Sequence, residues 1–235
     1  MMYRVLHPQE EPSDIILTTN IRSEFRQQVF AYRRHSHAIY IFAQKTGLRL
    51  MNAVRVAENI PAFIDLLNDF LQSQESQFDL QQMLICDPVR YISREELYDF
   101  TYNYVEIINE TGLFYDYGKE HYLWEFIWEI VRNSEFPEMP SRMNSVFLFE
   151  SVDEARNFKE AYRESDYILA NIELIEGETY SFDMNWFSEV PCDVPLSEIK
   201  EYVRNYWSQN KTDSPVIEVL FQGKYMWENN TYTHL

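Results

Sequence analysis

The sequence predicts an α+β protein, and two patterns and one absence lead to that class. Between residues 20 and 115 the apolar side chains recur mostly at helical spacing, whereas after Pro140 strand and helix patterns follow one another. Such segregated runs are typical of α+β folds. The chain has five glycines and no glycine-rich phosphate-binding motif, so the Rossmann and P-loop classes receive no support. We expect one domain over residues 1–235, with 20–115 as a mostly helical insertion.

The N-terminal part is expected to hold a short strand followed by helices. Residues 3–6 (YRVL) have the composition of a strand, and residues 14–19 (DIILTT) are expected to extend the same layer. One helix is predicted from about residue 22 to residue 46, with Gly47 as its stop. Pro61 is placed in the first turn of the next helix, where a missing backbone N–H costs nothing.

Two more helices have start or stop signals in the sequence. Ser93 and Glu96 have the spacing of a capping box, and the helix that they open is expected to end near Gly112. The segment HYLWEFIWEIVRNSEF at 121–136 has one apolar face, and Pro137 stops it.

After Pro140 the elements are shorter and include strands. The expected elements are a strand at 145–150, a helix opened by the SVDE capping box and ending near 164, a half-buried strand at 166–174, a strand and turn at 178–186, and an amphipathic helix at 196–207.

Glu218 lies in the predicted last strand. Both faces of residues 216–221 are mostly apolar, which is typical of a central strand, and Gly223 is expected to end it. A carboxylate in such a strand is costly unless it is paired or used in chemistry. The alternative is a glutamate on an edge strand that faces water.

The charge of the chain limits its partners. The formal net charge of −18 repels nucleic acid and anionic membranes, and it favours a basic or neutral protein partner. No apolar run approaches the roughly 20 residues of a membrane span, and no secretory signal is visible, so we expect a cytoplasmic protein. Cys86 and Cys192 are expected to be buried free thiols.

Three polar groups admit a functional and a structural interpretation. His35 and His37 could bind a metal if they lay on a strand, but on a helix they point different ways, and a structural or surface role is favoured. Glu125 and Glu129 could form a carboxylate pair, but a solvated helix face is favoured. The segment 183–185 is expected to shape a turn.

Three separated segments then come in a recognisable order: YRVLH at the N-terminus, PSRMNSVFLF at 140–149 and EVLFQG at 218–223. In this order they resemble the ADP-ribosyltransferase fold. The region 122–223 resembles an uncharacterised bacterial and phage family with P-S-R-x-x-S-x-F and E-[IVL]-L-x-x-G motifs. The resemblance implies a split mixed or antiparallel β core, and it does not cover residues 20–115.

The resemblance implies two catalytic residues. Glu218 would stabilise the oxocarbenium-like state that forms when the nicotinamide–ribose bond breaks. Ser145 would orient the nicotinamide ribose. Val216 stands where transferases that modify arginine usually have Glu or Gln, so an arginine acceptor is not inferred.

The resemblance also implies four NAD-binding residues. Arg4 stands where close relatives more often have His, and His7 is a second candidate in the same segment. Arg142 would neutralise the pyrophosphate, and Phe147 would pack on the nicotinamide ring. NAD would be a substrate, and no metal would be needed.

The implied function is an NAD-dependent ADP-ribosyltransferase, a glycosyltransferase that modifies a protein acceptor, in a toxin or phage–host conflict system. The alternative is a catalytically inactive binding or inhibitor protein of the same fold, which engages a basic partner through its acidic surface.

Overall fold

The computed structural model describes residues 2–7, 10, 15–20, 24–163 and 165–227. The strands are Met2–Leu6 (β1), Ile16–Leu17 (β2), Gln77–Asp79 (β3), Tyr91–Ser93 (β4), Val146–Leu148 (β5), Ile168–Asp183 (β6) and Ile217–Trp227 (β7). The helices are Glu24–Ala31 (α1), Arg33–Thr46 (α2), Leu50–Asn59 (α3), Ile64–Gln72 (α4), Arg94–Thr111 (α5), Glu120–Glu135 (α6), Val152–Tyr162 (α7), Asn185–Ser188 (α8) and Leu196–Trp207 (α9). The predicted boundaries at residues 14, 22 and 164 lie outside the described residues.

The predicted α+β class is confirmed by this mixture of helices and antiparallel strands. The chain forms two compact units. The sheet unit comprises Met1–Ser23, Val131–Val190 and Tyr202–Leu235, and the helical unit comprises Glu24–Ile130 and Pro191–Glu201. The single domain with an insertion at 20–115 stays a prediction.

The sheet unit contains an antiparallel sheet whose pairings form a ring. The central strand is β7, which pairs with β6 along one edge and with β5 and then β2 along the other. The first strand, β1, pairs with the start of β6. Tyr3 of β1 also forms a bridge with Phe149, directly after β5. The pairings therefore run from β1 through β6, β7 and β5 back to β1.

The inner side of this ring is mostly apolar. Its buried residues are Leu6, Val146, Leu148, Ala170, Ile172, Val219, Phe221, Tyr225 and Trp227. Because side chains alternate along a strand, the intervening residues of β7 face the outer side of the sheet. The prediction of a central strand buried on both sides is confirmed, since Val219, Leu220 and Phe221 are all buried.

Two glycines lie opposite each other where the two longest strands, β6 and β7, pair. Gly177 of β6 lies opposite Gly223 of β7, with φ values of +142° and +150°, where only glycine is comfortable. A Cβ on Gly177 would lie 2.2 Å from the Gln222 carbonyl oxygen, and a Cβ on Gly223 would lie 2.0 Å from that of Glu176. The prediction that Gly223 ends the strand is wrong, because this glycine permits a close backbone approach instead of a turn.

In the helical unit, the predicted helix at 22–46 is divided. Helix α1 ends at Ala31, Tyr32 forms a turn, and α2 runs from Arg33 to Thr46 before Gly47. The sequence did not predict α3, in which apolar residues are buried on most sides. Pro61 therefore lies in the turn between α3 and α4 and not in the first turn of a helix.

Other helix boundaries agree with the sequence signals. The capping box of α5 is present, since Ser93 Oγ accepts from Glu96 N (3.2 Å) and the Glu96 carboxylate accepts from Ser93 N (3.2 Å). This helix ends before Gly112, as predicted. The predicted amphipathic helix at 196–207 is α9. Among the described residues, no helix has the length and apolar character that crossing a membrane requires.

Two predictions about burial are wrong. Cys86 and Cys192 are exposed, because both lie in surface segments outside the regular elements. Glu125 is buried, because it lies in a stretch of α6, residues 125–128, that is buried on every side. The solvated face predicted for Glu125 and Glu129 therefore does not hold for the first of the two.

The two histidines of α2 point in different directions, as expected for a helix. His37 is exposed, whereas His35 is buried and its Nε2 lies 3.0 Å from the Leu113 carbonyl oxygen. The rings of Tyr32 and Tyr104 lie 5.5 and 5.6 Å from that of His35. The structural interpretation of His35 therefore agrees with its surroundings.

His35 is expected to make the stability of the protein depend on pH. Burial lowers the pKa of His35 below its ordinary 6.5, and the hydrogen bond with Leu113 opposes this only in part. The unfolded chain then binds more protons than the folded chain below about pH 6.5. As the pH is lowered through this range, the free energy of unfolding should fall by up to about 1.4 kcal/mol per pH unit because of this group.

Urea unfolding between pH 5 and 7.5 measures this effect. We expect His35→Gln to have a flatter pH profile than the wild type, whereas His37→Gln, at the exposed position, keeps the wild-type slope. Parallel profiles for the wild type and His35→Gln would contradict the prediction.

Candidate functional site

Glu218 is the second residue of β7 and is only 3 % exposed. Val219 beside it faces the inside of the ring, so Glu218 faces the outer side of the sheet. Its Oε1 accepts a hydrogen bond from Tyr206 Oη of α9 (2.6 Å) and another from Arg142 Nη1. The predicted burial of this carboxylate is confirmed, and the alternative of an edge glutamate facing water is wrong.

Arg142 is the cation of this cluster. It lies in the 3-10 turn Arg142–Asn144, just before β5, and is 7 % exposed. Its guanidinium carbon is 4.8 Å from the ring centre of Phe147 and 4.5 Å from that of Phe187. A buried guanidinium is stabilised by such aromatic faces and by a charge-assisted bond to a carboxylate.

Tyr206 joins the two charged groups. Its hydroxyl accepts from Arg142 Nη1 and donates to Glu218, and its ring stacks on Phe182 at 4.6 Å. Burial raises the pKa of Tyr206 well above its ordinary value, and the charge of Glu218 raises it further, although Arg142 acts in the opposite direction. The phenol therefore stays protonated and remains a donor to Glu218.

Ser145 lies on the same side of the sheet but has other contacts. Its hydroxyl donates to the Ser141 carbonyl oxygen (2.7 Å) and accepts from Gln222 Nε2 (3.2 Å). Gln222 is four residues beyond Glu218, which corresponds to about 13 Å along the strand. The fully buried Ser145 thus helps to hold the 3-10 turn on β7.

Arg4 lies on β1 with its side chain on the inner side of the ring. Its Nη1 donates to Tyr225 Oη (2.8 Å), a member of the inner core, and to the Glu10 carboxylate (3.0 Å). His7 follows β1, is exposed, and has its ring edge-on to Tyr167 at 5.2 Å.

The structure brings together three of the six residues that the resemblance assigned. These are Glu218, Arg142 and Phe147. Ser145 lies on the same side of the sheet, but its hydrogen bonds described above are with Ser141 and Gln222. Arg4 lies on the opposite side, and His7 lies beyond the end of β1.

Asp183 fixes the start of β7 beside this cluster. Its carboxylate accepts from the backbone N–H groups of Asn185 (3.1 Å), Thr212 (2.8 Å) and Val216 (3.0 Å), and from the Thr212 hydroxyl (2.7 Å). Burial alone would raise the pKa of Asp183, but these hydrogen bonds outweigh burial and hold the pKa below its ordinary value. The predicted role of the 183–185 segment in a turn is therefore confirmed.

Sequence reasoning missed two members of the cluster, Tyr206 and Phe187. The amphipathic pattern at 196–207 puts Tyr206 on the apolar face of the predicted helix but indicates no partner for it. A buried tyrosine needs a hydrogen-bond partner, and a buried glutamate needs a donor, so the two residues could have been matched on that ground. Phe187 lies in the short helix α8, and no sequence signal pointed to it.

The three polar groups of the cluster form a triangle of hydrogen bonds. It contains one cation, one anion and one neutral phenol, and each is bonded to the other two. Fold and site together define an α+β protein with a buried Arg–Glu–Tyr network on the outer side of an antiparallel sheet.

The comparisons with known proteins then give the family. A family model described as "Protein of unknown function (DUF2441)" matches residues 36–227. The chain therefore belongs to the DUF2441 family. None of the curated proteins matches it.

Proposed function

We propose that this chain is a catalytically inactive protein with an ADP-ribosyltransferase-like fold, and that it binds a basic protein partner. The observation that carries the proposal is the closed Arg142–Glu218–Tyr206 network. A catalytic glutamate has to reach the ribose of NAD, but Oε1 of Glu218 is already bonded to two donors in a buried site.

The position of Arg4 supports the same conclusion. The resemblance requires an N-terminal arginine and Glu218 to face one cleft, whereas here they face opposite sides of the sheet. Arg4 is also engaged by Glu10 and Tyr225. In this arrangement Arg4 and Glu218 could not both contact one NAD molecule.

The antiparallel pairing of the sheet agrees with the fold named in the proposal. Before the Gly177–Gly223 pair, β6 is paired with β1 and with the end of β7, and after it β6 is paired with the start of β7. The register shifts next to this pair, between Leu174 and Glu176. An antiparallel β core is one form that the resemblance implies.

The charge supports a basic partner. Each compact unit has 19 Asp and Glu residues against 10 Lys and Arg, so the excess of negative charge is not confined to one part of the chain. A field of this sign accelerates encounters with cationic proteins and repels nucleic acid.

Incubation with NAD tests the absence of catalysis. We expect neither the wild type nor Glu218→Gln to release nicotinamide, and we expect NAD to leave the melting temperature unchanged. Nicotinamide release by the wild type that Glu218→Gln abolishes would overturn the proposal.

An active ADP-ribosyltransferase is the second candidate, and the contact of Arg142, Glu218 and Phe147 favours it. The resemblance assigns all three to NAD, and the structure holds them in one cluster. A pyrophosphate that replaced Glu218 at Arg142 would free the carboxylate for the ribose. The same incubation decides between the two candidates, because only this one gives turnover that depends on Glu218.

A further inference from the structure

One face of α5 in the helical unit is exposed and aromatic. Tyr98 and Tyr102 are 51 % and 64 % exposed, and their rings stack at 6.0 Å with an interplanar angle of 17°. The opposite side of this helix is buried, with Leu97, Phe100 and Tyr104 in the core. The two tyrosines are four residues apart and therefore lie one above the other on the outer face.

Carboxylates flank this aromatic pair. Glu95 and Glu106 are exposed on the same helix face, about 16 Å apart along the axis. Among the described residues, neither has an ion pair, whereas Asp99 between the tyrosines is 3.7 Å from Lys45 Nζ. Two uncompensated negative charges thus lie at the two ends of the tyrosine stack.

A depression of about 540 Å³ adjoins the N-terminal end of this face. Its lining residues are Leu71, Gln74, Glu75, Ser76, Ser93, Arg94, Glu95 and Tyr98. The one cation of this lining, Arg94, donates to the carbonyl oxygens of Leu71 (2.8 Å) and Ser73 (2.6 Å). Its donors are therefore directed into the protein. The lining also contains two carboxylates, those of Glu75 and Glu95.

We propose that this surface, formed by Glu95, Tyr98, Tyr102 and Glu106 with the adjoining depression, binds an arginine-containing segment of the basic partner. The inference rests on the proposed function and gives it a location. Arginine stacks on tyrosine rings through cation–π contact and forms paired hydrogen bonds with carboxylates. An extended segment covers 16 Å with about five residues, so arginines five positions apart would meet both glutamates.

The charge of the chain argues against two other occupants. A second copy carries the same charge of −18 and would be repelled, and nucleic acid presents phosphates to the same carboxylates. A cationic segment is the occupant whose charge complements this face.

Fluorescence anisotropy with a labelled peptide tests the proposal. The probe is a 12-residue synthetic peptide without acidic residues, with arginines five positions apart, titrated with the full chain at about 150 mM salt, where long-range attraction is screened. We expect Tyr98→Ala with Tyr102→Ala, which leaves the charge unchanged, to raise Kd about tenfold. Glu95→Gln with Glu106→Gln should raise it by a similar factor.

The matched control removes two exposed carboxylates from the sheet unit. Glu173→Gln with Glu189→Gln has the same net charge as the α5 glutamine pair, and we expect its Kd to change less than about twofold. Equal weakening by the two glutamine pairs, an unchanged Kd in the tyrosine variant, or no binding by the wild type at about 1 mM would each overturn the site.

The outcomes separate this inference from the proposed function. Peptide binding that depends on Glu173 and Glu189 but not on α5 would overturn the location and leave a basic partner in place. Nicotinamide release would overturn the proposed function and leave the peptide measurement as it stands. Thermal melts check that each variant is folded. We expect melting temperatures close to that of the wild type, because all the substituted side chains are exposed.

Discussion

Replacing Arg142 by methionine is expected to lower the free energy of unfolding by about 3–5 kcal/mol. The substitution removes the cation while Glu218 stays buried next to Tyr206, so an uncompensated charge remains in the core. Methionine keeps most of the apolar contact with Phe147 and Phe187. Equilibrium unfolding in urea measures the loss.

The controls separate burial of the charge from loss of an ion pair. Arg204→Met breaks an exposed pair with Glu135 and should cost about 1 kcal/mol or less. A triple variant, Arg142→Met with Glu218→Leu and Tyr206→Phe, removes every polar group of the network and should recover most of the stability. If the free energy of unfolding of Arg142→Met is within about 1 kcal/mol of the wild-type value, the network does not contribute significantly to stability.

Gly223→Ala is expected to destabilise the sheet by about 4 kcal/mol, because strain and overpacking act together. The added Cβ would lie 2.0 Å from the Glu176 carbonyl oxygen and 2.6 Å from Gly177 Cα, and both are backbone atoms that cannot rotate away. The φ of +150° adds strain for any residue with a Cβ.

Gly112→Ala is the matched control for this substitution. Gly112 also has a positive φ, +67°, but a Cβ there has nothing within 4 Å. Its replacement should cost only about 1–2 kcal/mol, which is the strain of the left-handed conformation. Equal losses at both glycines would show that φ, and not the close approach of β6 and β7, dominates.

Local signals in the sequence predicted the elements well where one residue decides the outcome. The capping box at Ser93 and the stop at Gly112 depend only on neighbouring atoms, and both are present. Gly223 shows where this reasoning ends. A glycine can stop a strand or permit two strands to approach, and the choice depends on Gly177, 46 residues earlier in the chain.

The candidate site was predictable only in part, for the same reason. The burial of Glu218 followed from the apolar residues around it in the sequence. Its pairing with Arg142 and Tyr206 depends on how a 3-10 turn and a helix pack on the sheet, which no local pattern encodes. The side of the sheet that Arg4 faces depends likewise on the register of β1 with β6.

The ring of strand pairings has a consequence for folding of the chain during its synthesis on the ribosome. Residues 2–6 pair with 168–172, and residues 16–17 pair with 224–225, so these early segments are synthesised long before β6 and β7, with which they pair. At about 5–20 residues per second the first strand waits roughly 10–30 s. Its apolar side chains are exposed to solvent or to a chaperone during that interval, and the ring closes only after β7 has been synthesised.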